Sequence, residues 1–394
     1  MNKGVISRGI VAPMIKEGDD IVNIVTNAVL DATRLGEKLV QPAPNVKGLV
    51  RIPGEYNYSL NDKDVIGITE SVIARASGQY ISVDDIADWI DKRVGRLVDV
   101  LIVDSPIYSR NRFSMILKGF ARFANKIYFV MPPFDEVGNP SGVNPFTGVD
   151  IQKYYKEICD SEGCESVFVD SIHEISNETL KYSCWIYCGL HDYNHWKADH
   201  KDDLNAITLA DICDDYSPDW GLLGTNKSTE EKLKLFPSKA VAQKICDEVK
   251  ANIREKTGKD VIVMAYGDGC FKSPSIDGVS GSSIWEFADP VTSPAYTDKG
   301  LLESSPNEIK LKAFIDDGVS EADIKKLIDD KDKNLVGSMS SQGTTPRQYK
   351  DLLASLMDLT SGSGERATPI VLVQNYFKKL SYKNDSVIDN NQFM

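Results

Sequence analysis

A chain of 394 residues with 42% hydrophobic and 26% charged side chains has the makeup of a folded globular protein, and its length suits two domains or one domain with a second lobe. The 58 acidic residues against 45 Lys and Arg give a formal net charge of −13, which argues against a nucleic-acid partner, because such binding rests on cations neutralising phosphates. No stretch approaches the roughly 20 apolar residues that span a bilayer, and residues 1–20 lack the apolar core of a signal peptide, so no membrane partner and a cytoplasmic location are expected.

Taken in chain order, short apolar runs alternate with amphipathic ones, the pattern of an α/β or mixed α+β fold with mixed sheets flanked by helices. A helix is expected over 17–33, then strands over 47–52 and 64–76, and a helix over 82–94. A strand at 98–104, a helix at 112–124 and strands at 126–132, 165–170 and 184–189 follow. A long helical pattern over 228–258 should break after Leu235, because Pro237 removes a backbone donor and clashes with the preceding turn. Beyond it come a strand at 260–267, helices at 307–317 and 345–360, and a strand at 368–374. Ser82, Ser228 and Ser320 precede acidic residues and read as helix caps. The polar stretch 211–228 suggests a lobe boundary, which divides the chain into 1–215 and 216–394.

Seven cysteines spread over the middle of the chain fit reduced thiols, many of them core residues. The run SCWIYCGLHDYNHWKADH (183–200) concentrates Cys184, Cys188, His191, His195 and His200, all of them residue types that zinc accepts. In a strand, however, Cys184 and Cys188 face the same way, as buried core cysteines do. His191 and Asp192 then fall just past the strand end, where ligands bind, and His195 and His200 belong to a solvated loop.

Three kinds of segment carry chemistry, and each follows a strand, where α/β sheets bind their ligands. In VMPPFDEVGNPSG (130–142) the neighbouring Asp135 and Glu136 suit a shared divalent cation, with an exposed acidic turn as the alternative. In VIVMAYGDGCFKSP (261–274) Gly267 and Gly269 allow close backbone approach, Asp268 suits Mg²⁺ or Mn²⁺ against a phosphate, and Lys272 follows. Here a plain Asp-Gly turn is the alternative. The third kind is rich in hydroxyls and cations, at 109–113, 222–231, 341–348 and 360–369, with Lys227 before one expected helix and Arg347 inside another. Neither the P-loop spacing nor a G-x-G-x-x-G after the first strand is present, so a Walker-type NTPase and a Rossmann dehydrogenase find no support.

PMIKEGDDIVNIVTNAV (13–29), followed after a gap by LNDKDVIGITESVIARASGQYISVDDI (60–86), resembles the amino-terminal pattern of the coenzyme F420-0:γ-L-glutamate ligase family, and most closely its long bacterial members. The resemblance continues through CGLHDYNHWKADH, ITLADICD, GLLGTNKSTEEKLKLFP, YGDGCFKSP, SQGTTPRQ and LTSGSGERATPIVLVQ, nearly to the end of the chain. Where the family reads TSKVVSKAEG, this chain has Thr69-Glu70-Ser71-Val72-Ile73-Ala74-Arg75-Ala76-Ser77-Gly78, so its two lysines are replaced by Ser71 and Arg75.

The resemblance implies a two-domain α/β ligase that dimerises, with GTP or ATP as co-substrate and Mg²⁺ or Mn²⁺ as cofactor. It couples glutamate or another amine to a small-molecule carboxylate through an acyl phosphate. Taken together with the segments read above, it suggests Asp268, His191 and Lys272 for catalysis, and Arg75, Thr69, Lys227, Gly267, Gly269 and Arg347 around the nucleotide. Asp268, Asp135 and Glu136 would hold the metal. A non-catalytic relative that binds an anionic small molecule or nucleotide is the alternative.

Overall fold

The computed structural model describes residues 4–33, 37–40, 50–53, 59–95, 98–135, 138–145, 147–189, 193–201, 203, 205–267, 269–270, 275–276, 283–284, 291–292, 318–320, 322–323, 326, 349–361 and 367–377. The fold is mixed α/β, as expected, and its elements gather around two principal sheets.

The first is a four-stranded mixed sheet. It contains β1 (Ile6–Ile10), β4 (Val65–Thr69), β13 (Ile262–Tyr266) and β18 (Ile370–Gln374) in the order β1-β18-β4-β13. The central β18 runs antiparallel to both β1 and β4, while β4 and β13 are parallel, with Val65 opposite Ile262 and Thr69 opposite Tyr266. Both faces are covered, which is why VIGIT and IVLVQ read as nearly continuous apolar runs rather than alternating ones. On one face lie α1 (Ile21–Thr33) and α8 (Lys239–Thr257), whose Val25, Val29, Ile245, Val249 and Ile253 pack on Ile66, Ile68, Ile370 and Leu372. On the other lies α9 (Tyr349–Ser361), with Leu353, Ala354 and Met357 against Val65, Met264, Val371 and Val373. A glycine is required at position 67, because a Cβ there would meet the Met357 sulfur at 2.2 Å.

The second sheet is wholly parallel. Its strands are β6 (Val100–Asp104), β7 (Lys126–Val130), β8 (Glu165–Val169), β9 (Cys184–Tyr187) and β10 (Ala206–Thr208), in the order β10-β9-β6-β7-β8. Chain progression reverses between β6 and β9, as in a doubly wound sheet. Helices α3 (Val83–Val94), α4 (Arg112–Phe123) and α5 (Ile151–Ser161) cover one face around Ile86, Phe113, Phe120, Phe129 and Tyr155. The other face packs Ile102 and Val169 beneath Ile175 and Leu180, the latter on α6 (Asn177–Tyr182), and α7 (Tyr193–Asp199) follows β9.

A small antiparallel sheet joins the two halves. In it β12 (Lys232–Lys234) pairs with β11 (Asn226–Thr229) on one side and with β5 (Tyr80–Ser82) on the other. Strand β5 runs directly into α3, whose first turn is closed by a capping box between Ser82 and Asp85. Short backbone pairs, β2 (Glu37–Val40) with β3 (Val50–Pro53), β14 (Gly269–Cys270) with β17 (Val291–Thr292), and β15 (Ser275–Ile276) with β16 (Ser283–Ile284), complete the strands among the described residues.

Four expectations need correction. The strand at 64–76 stops at Thr69, and residues from Glu70 form the helix α2 (Glu70–Ala76). The helix expected from Ser228 is instead the β11–β12 hairpin, because Leu233 is fully buried while pairing with β5 satisfies the backbone. Ser228 therefore lies in a strand, and the cap of the following helix is Ser238, whose hydroxyl accepts from the Val241 N–H at 3.3 Å. The helix expected from 17 begins only at Ile21, since Gly18 has φ +82° and Asp20 caps the turn by accepting from the Asn23 N–H at 3.0 Å. Finally, residues 193–199 form a helix rather than a solvated loop. The helix expected over 307–317 lies outside the described residues.

Candidate active site at the tips of a parallel strand pair

Parallel neighbours β4 and β13 end side by side, so the residues that leave them, Glu70 and Gly267, emerge from adjacent strand tips beyond the Thr69–Tyr266 pair. This brings together two expected site residues far apart in sequence, Thr69 and Gly267, and Gly267 is buried there. Glu70 opens α2 with only 5% of its surface exposed, and the Thr69 hydroxyl donates to its Oε2 at 3.3 Å. Burial raises the Tyr266 phenol above its ordinary range, and the negative charge of Glu70 adds to the effect. Ser71 receives a hydrogen bond from the Lys234 ammonium, which arrives from β12.

The GDD segment, residues 18–20, lies at the other end of α2. The Gly18 N–H bonds the Ala76 carbonyl at 2.9 Å, so the turn at 16–20 is fastened to the end of α2. Asp19 accepts from the Lys16 N–H at 2.6 Å, and the carboxyl of Asp20 is held below its usual range by the backbone and side-chain N–H groups of Asn23. The two sequence segments that carried the amino-terminal resemblance are thus in contact. Arg75, also on α2, is exposed in its last turn.

Other expected residues lie elsewhere. Asp135 sits in the turn after β7, 7% exposed, and its carboxylate accepts from the Tyr108 N–H at 2.9 Å, the Asn139 N–H at 2.8 Å and the Asn139 side-chain amide at 3.0 Å. Lys227 lies on β11 against the start of α4, where its N–H donates to Asn111 at 3.0 Å and its ammonium pairs with Glu230 at 2.6 Å. Gly269 is in β14 opposite Thr292. Asp268, Lys272, His191, Glu136 and Arg347 lie outside the described residues.

The cysteine- and histidine-rich run falls at the point where the parallel sheet reverses direction. Cys184, Ile186 and Cys188 are fully buried in one core, as their alternation implied, and burial pushes the Cys184 thiol up to about 12. His200 stacks on Trp196 with ring centres 4.2 Å apart, and Trp196 stacks on Tyr187 at 5.4 Å. Beside them, at the tip of β6, burial raises the carboxyl pKa of Asp104 above its usual value. Among the described residues no group of three or more His, Cys, Asp or Glu is placed to hold a metal ion, and a zinc cluster in this run finds no support there.

Sequence reasoning did not single out Glu70, Tyr266 or Lys234. Their only sequence signal is position: Glu70 and Tyr266 flank the ends of two strands, and Lys234 alternates with a buried leucine in KLK.

Fold and site together define a mixed α/β protein with a polar centre at parallel strand tips, the place where α/β sheets bind their ligands. The chain belongs to the F420-0:Gamma-glutamyl ligase family, whose model matches residues 9–375. No curated protein matches it. Among the described residues no helix is long and apolar enough to cross a membrane.

Proposed function

We propose that the tips of β4 and β13 form the active centre of a nucleotide-dependent, γ-glutamyl-type ligase. The observation that carries this reading is the register that sets Thr69 and Glu70, at the tip of β4, beside Gly267, the residue before Asp268. In the proposed reaction a carboxylate oxygen of the acceptor attacks the terminal phosphorus of GTP or ATP, and the nucleoside diphosphate leaves. The amine nitrogen of glutamate, or of another amine, then attacks the acyl carbon; phosphate departs and the amine loses a proton. Catalysis of this type consists chiefly of positioning and of charge placed where it develops.

A divalent cation, Mg²⁺ or Mn²⁺, would neutralise phosphate charge. Its proposed ligand is Asp268, with the buried carboxylate of Glu70 at the neighbouring tip; the oxygens of Asp135 already accept from the Tyr108 N–H and from two N–H groups of Asn139.

The test is thermal unfolding of the full chain with GTP or ATP and Mn²⁺, alongside phosphate release on adding glutamate and candidate carboxylates. At a hundredfold excess over Kd, bound nucleotide adds about 2.7 kcal/mol, and at roughly 2–4 °C per kcal/mol a clear rise in Tm is expected. Asp268→Ala should lose most of that rise. A wild type stabilised by neither nucleotide sinks the proposal; nucleotide binding without phosphate release favours a non-catalytic carrier.

A further inference from the structure

We infer that Cys159 and Cys164, at the corner between α5 and β8, are a redox-modification site that hydrogen peroxide converts to a reversible disulfide. The inference stands apart from the ligase reading. Helix α5 ends in a double reverse turn: the Gly163 N–H bonds the Asp160 carbonyl at 3.2 Å, and the Cys164 N–H bonds the Cys159 carbonyl at 2.9 Å. Gly163 permits the turn by adopting φ +78°. A helix that ends in this way sets the side chain after the glycine against that of its third-last residue, a contact that is usually apolar. Here both residues are cysteines. Their sulfurs lie within hydrogen-bond reach, with Cys159 donating to Cys164, and the Cys164 thiol in turn faces the Glu165 carbonyl at 3.6 Å.

Burial alone does not select this pair, because Cys184, Cys188, Cys213 and Cys246 are buried as well. At Cys184 and Cys213 burial raises the thiol and so withholds the thiolate, which is the reactive form. At Cys164 the bond from Cys159 outweighs burial and holds the thiol below its ordinary range. Cys164 is also close to solvent, 3% exposed between the exposed Gly163 and Glu165, at a helix end where local opening costs least. The Cys164 sulfur attacks one peroxide oxygen; the O–O bond breaks, and the other oxygen leaves as water, giving a sulfenic acid. The Cys159 sulfur then attacks the Cys164 sulfur, the S–S bond forms as the S–O bond breaks, and the Cys159 proton departs with the second water. Two thiols have lost two electrons, and one peroxide has become two waters.

The experiment treats the reduced, native full chain with hydrogen peroxide, alkylates the remaining thiols after unfolding, and maps the peptides by mass. The wild type should lose two hydrogens and yield a bridged Cys159–Cys164 peptide, about tenfold or more faster than Cys184, Cys188, Cys213 or Cys246 reacts, and dithiothreitol should restore both thiols. Closing so short a loop should raise Tm by about 4 °C. Cys159→Ala should leave Cys164 as a sulfenic acid that dimedone captures, and Cys164→Ala should leave Cys159 unreacted under the same peroxide. Should either variant fail to fold, the wild-type peptide map decides alone. No thiol lost from the native wild type, loss of the other four buried thiols as fast as of this pair, or a bridged form that melts below the reduced one overturns the inference.

Discussion

The two principal sheets are assembled in opposite ways. The parallel sheet takes its five strands from one run of chain, 100–208, with a helix or short crossover after each strand. The mixed sheet takes its four from residues 6–10, 65–69, 262–266 and 370–374, so every one of its pairings joins segments distant in sequence. The first arrangement makes contacts cheaply, because little loop entropy is lost in closing each unit, whereas the second places residues from distant parts of the chain at one spot. It is the second that builds the candidate active site.

This contrast implies that the sheets respond separately to damage, and the largest expected effect tests it. Phe129 is fully buried on β7 and stacks on Phe168 with ring centres 4.9 Å apart. Phe129→Ala should cost about 3–5 kcal/mol. Hydrogen exchange should speed up in β6, β7 and β8 well before β1 and β18; equal acceleration in all of them would show one cooperative unit and break the comparison.

A smaller effect is expected in the mixed sheet from Gly67→Ala, which pushes the Met357 sulfur and crowds the Tyr266 ring at 3.0 Å. The cost should be about 1–3 kcal/mol. Faster exchange should concentrate in α9, and unchanged protection there would mean that the helix is not seated by this contact. The smallest effect concerns the join between the halves. Arg122 pairs with Asp84 at 2.7 Å, Glu162 at 2.8 Å and Glu231 at 2.7 Å, tying α3, α4 and the hairpin together. Arg122→Ala should lose about 1 kcal/mol in low salt and less in 1 M salt, as measured by denaturant midpoints, because partly exposed ion pairs are screened. A salt-independent loss would point to packing by the arginine stem instead.

The same contrast explains what the sequence disclosed. Strands of the parallel sheet are legible as short runs rich in Val, Ile and Phe, and those expected at 98–104, 126–132, 165–170 and 184–189 match to within a few residues. The β11–β12 hairpin was not legible: STEEKLKLF has the Glu, Lys and Leu of a helix, and only pairing with β5 makes it extended. Helix α2 was hidden because the β-branched Val72 and Ile73 prolong the apolar run of β4. At the site, Thr69 and Gly267 could be named because each lies at a strand end, and their adjacency needed the register between β4 and β13. Lys234 has no local motif at all, and its place depends on which strand lies beside β5.

The position of β18 also carries a consequence for synthesis. Because it lies between β1 and β4, the mixed sheet cannot close until residue 374 has left the ribosome, long after the last strand of the parallel sheet has emerged at Thr208. During most of translation β1 and β4 therefore have unpaired edges toward each other, while the parallel sheet is free to form. A nascent chain of this protein thus has every strand of its parallel sheet long before β1 can join β4 through β18.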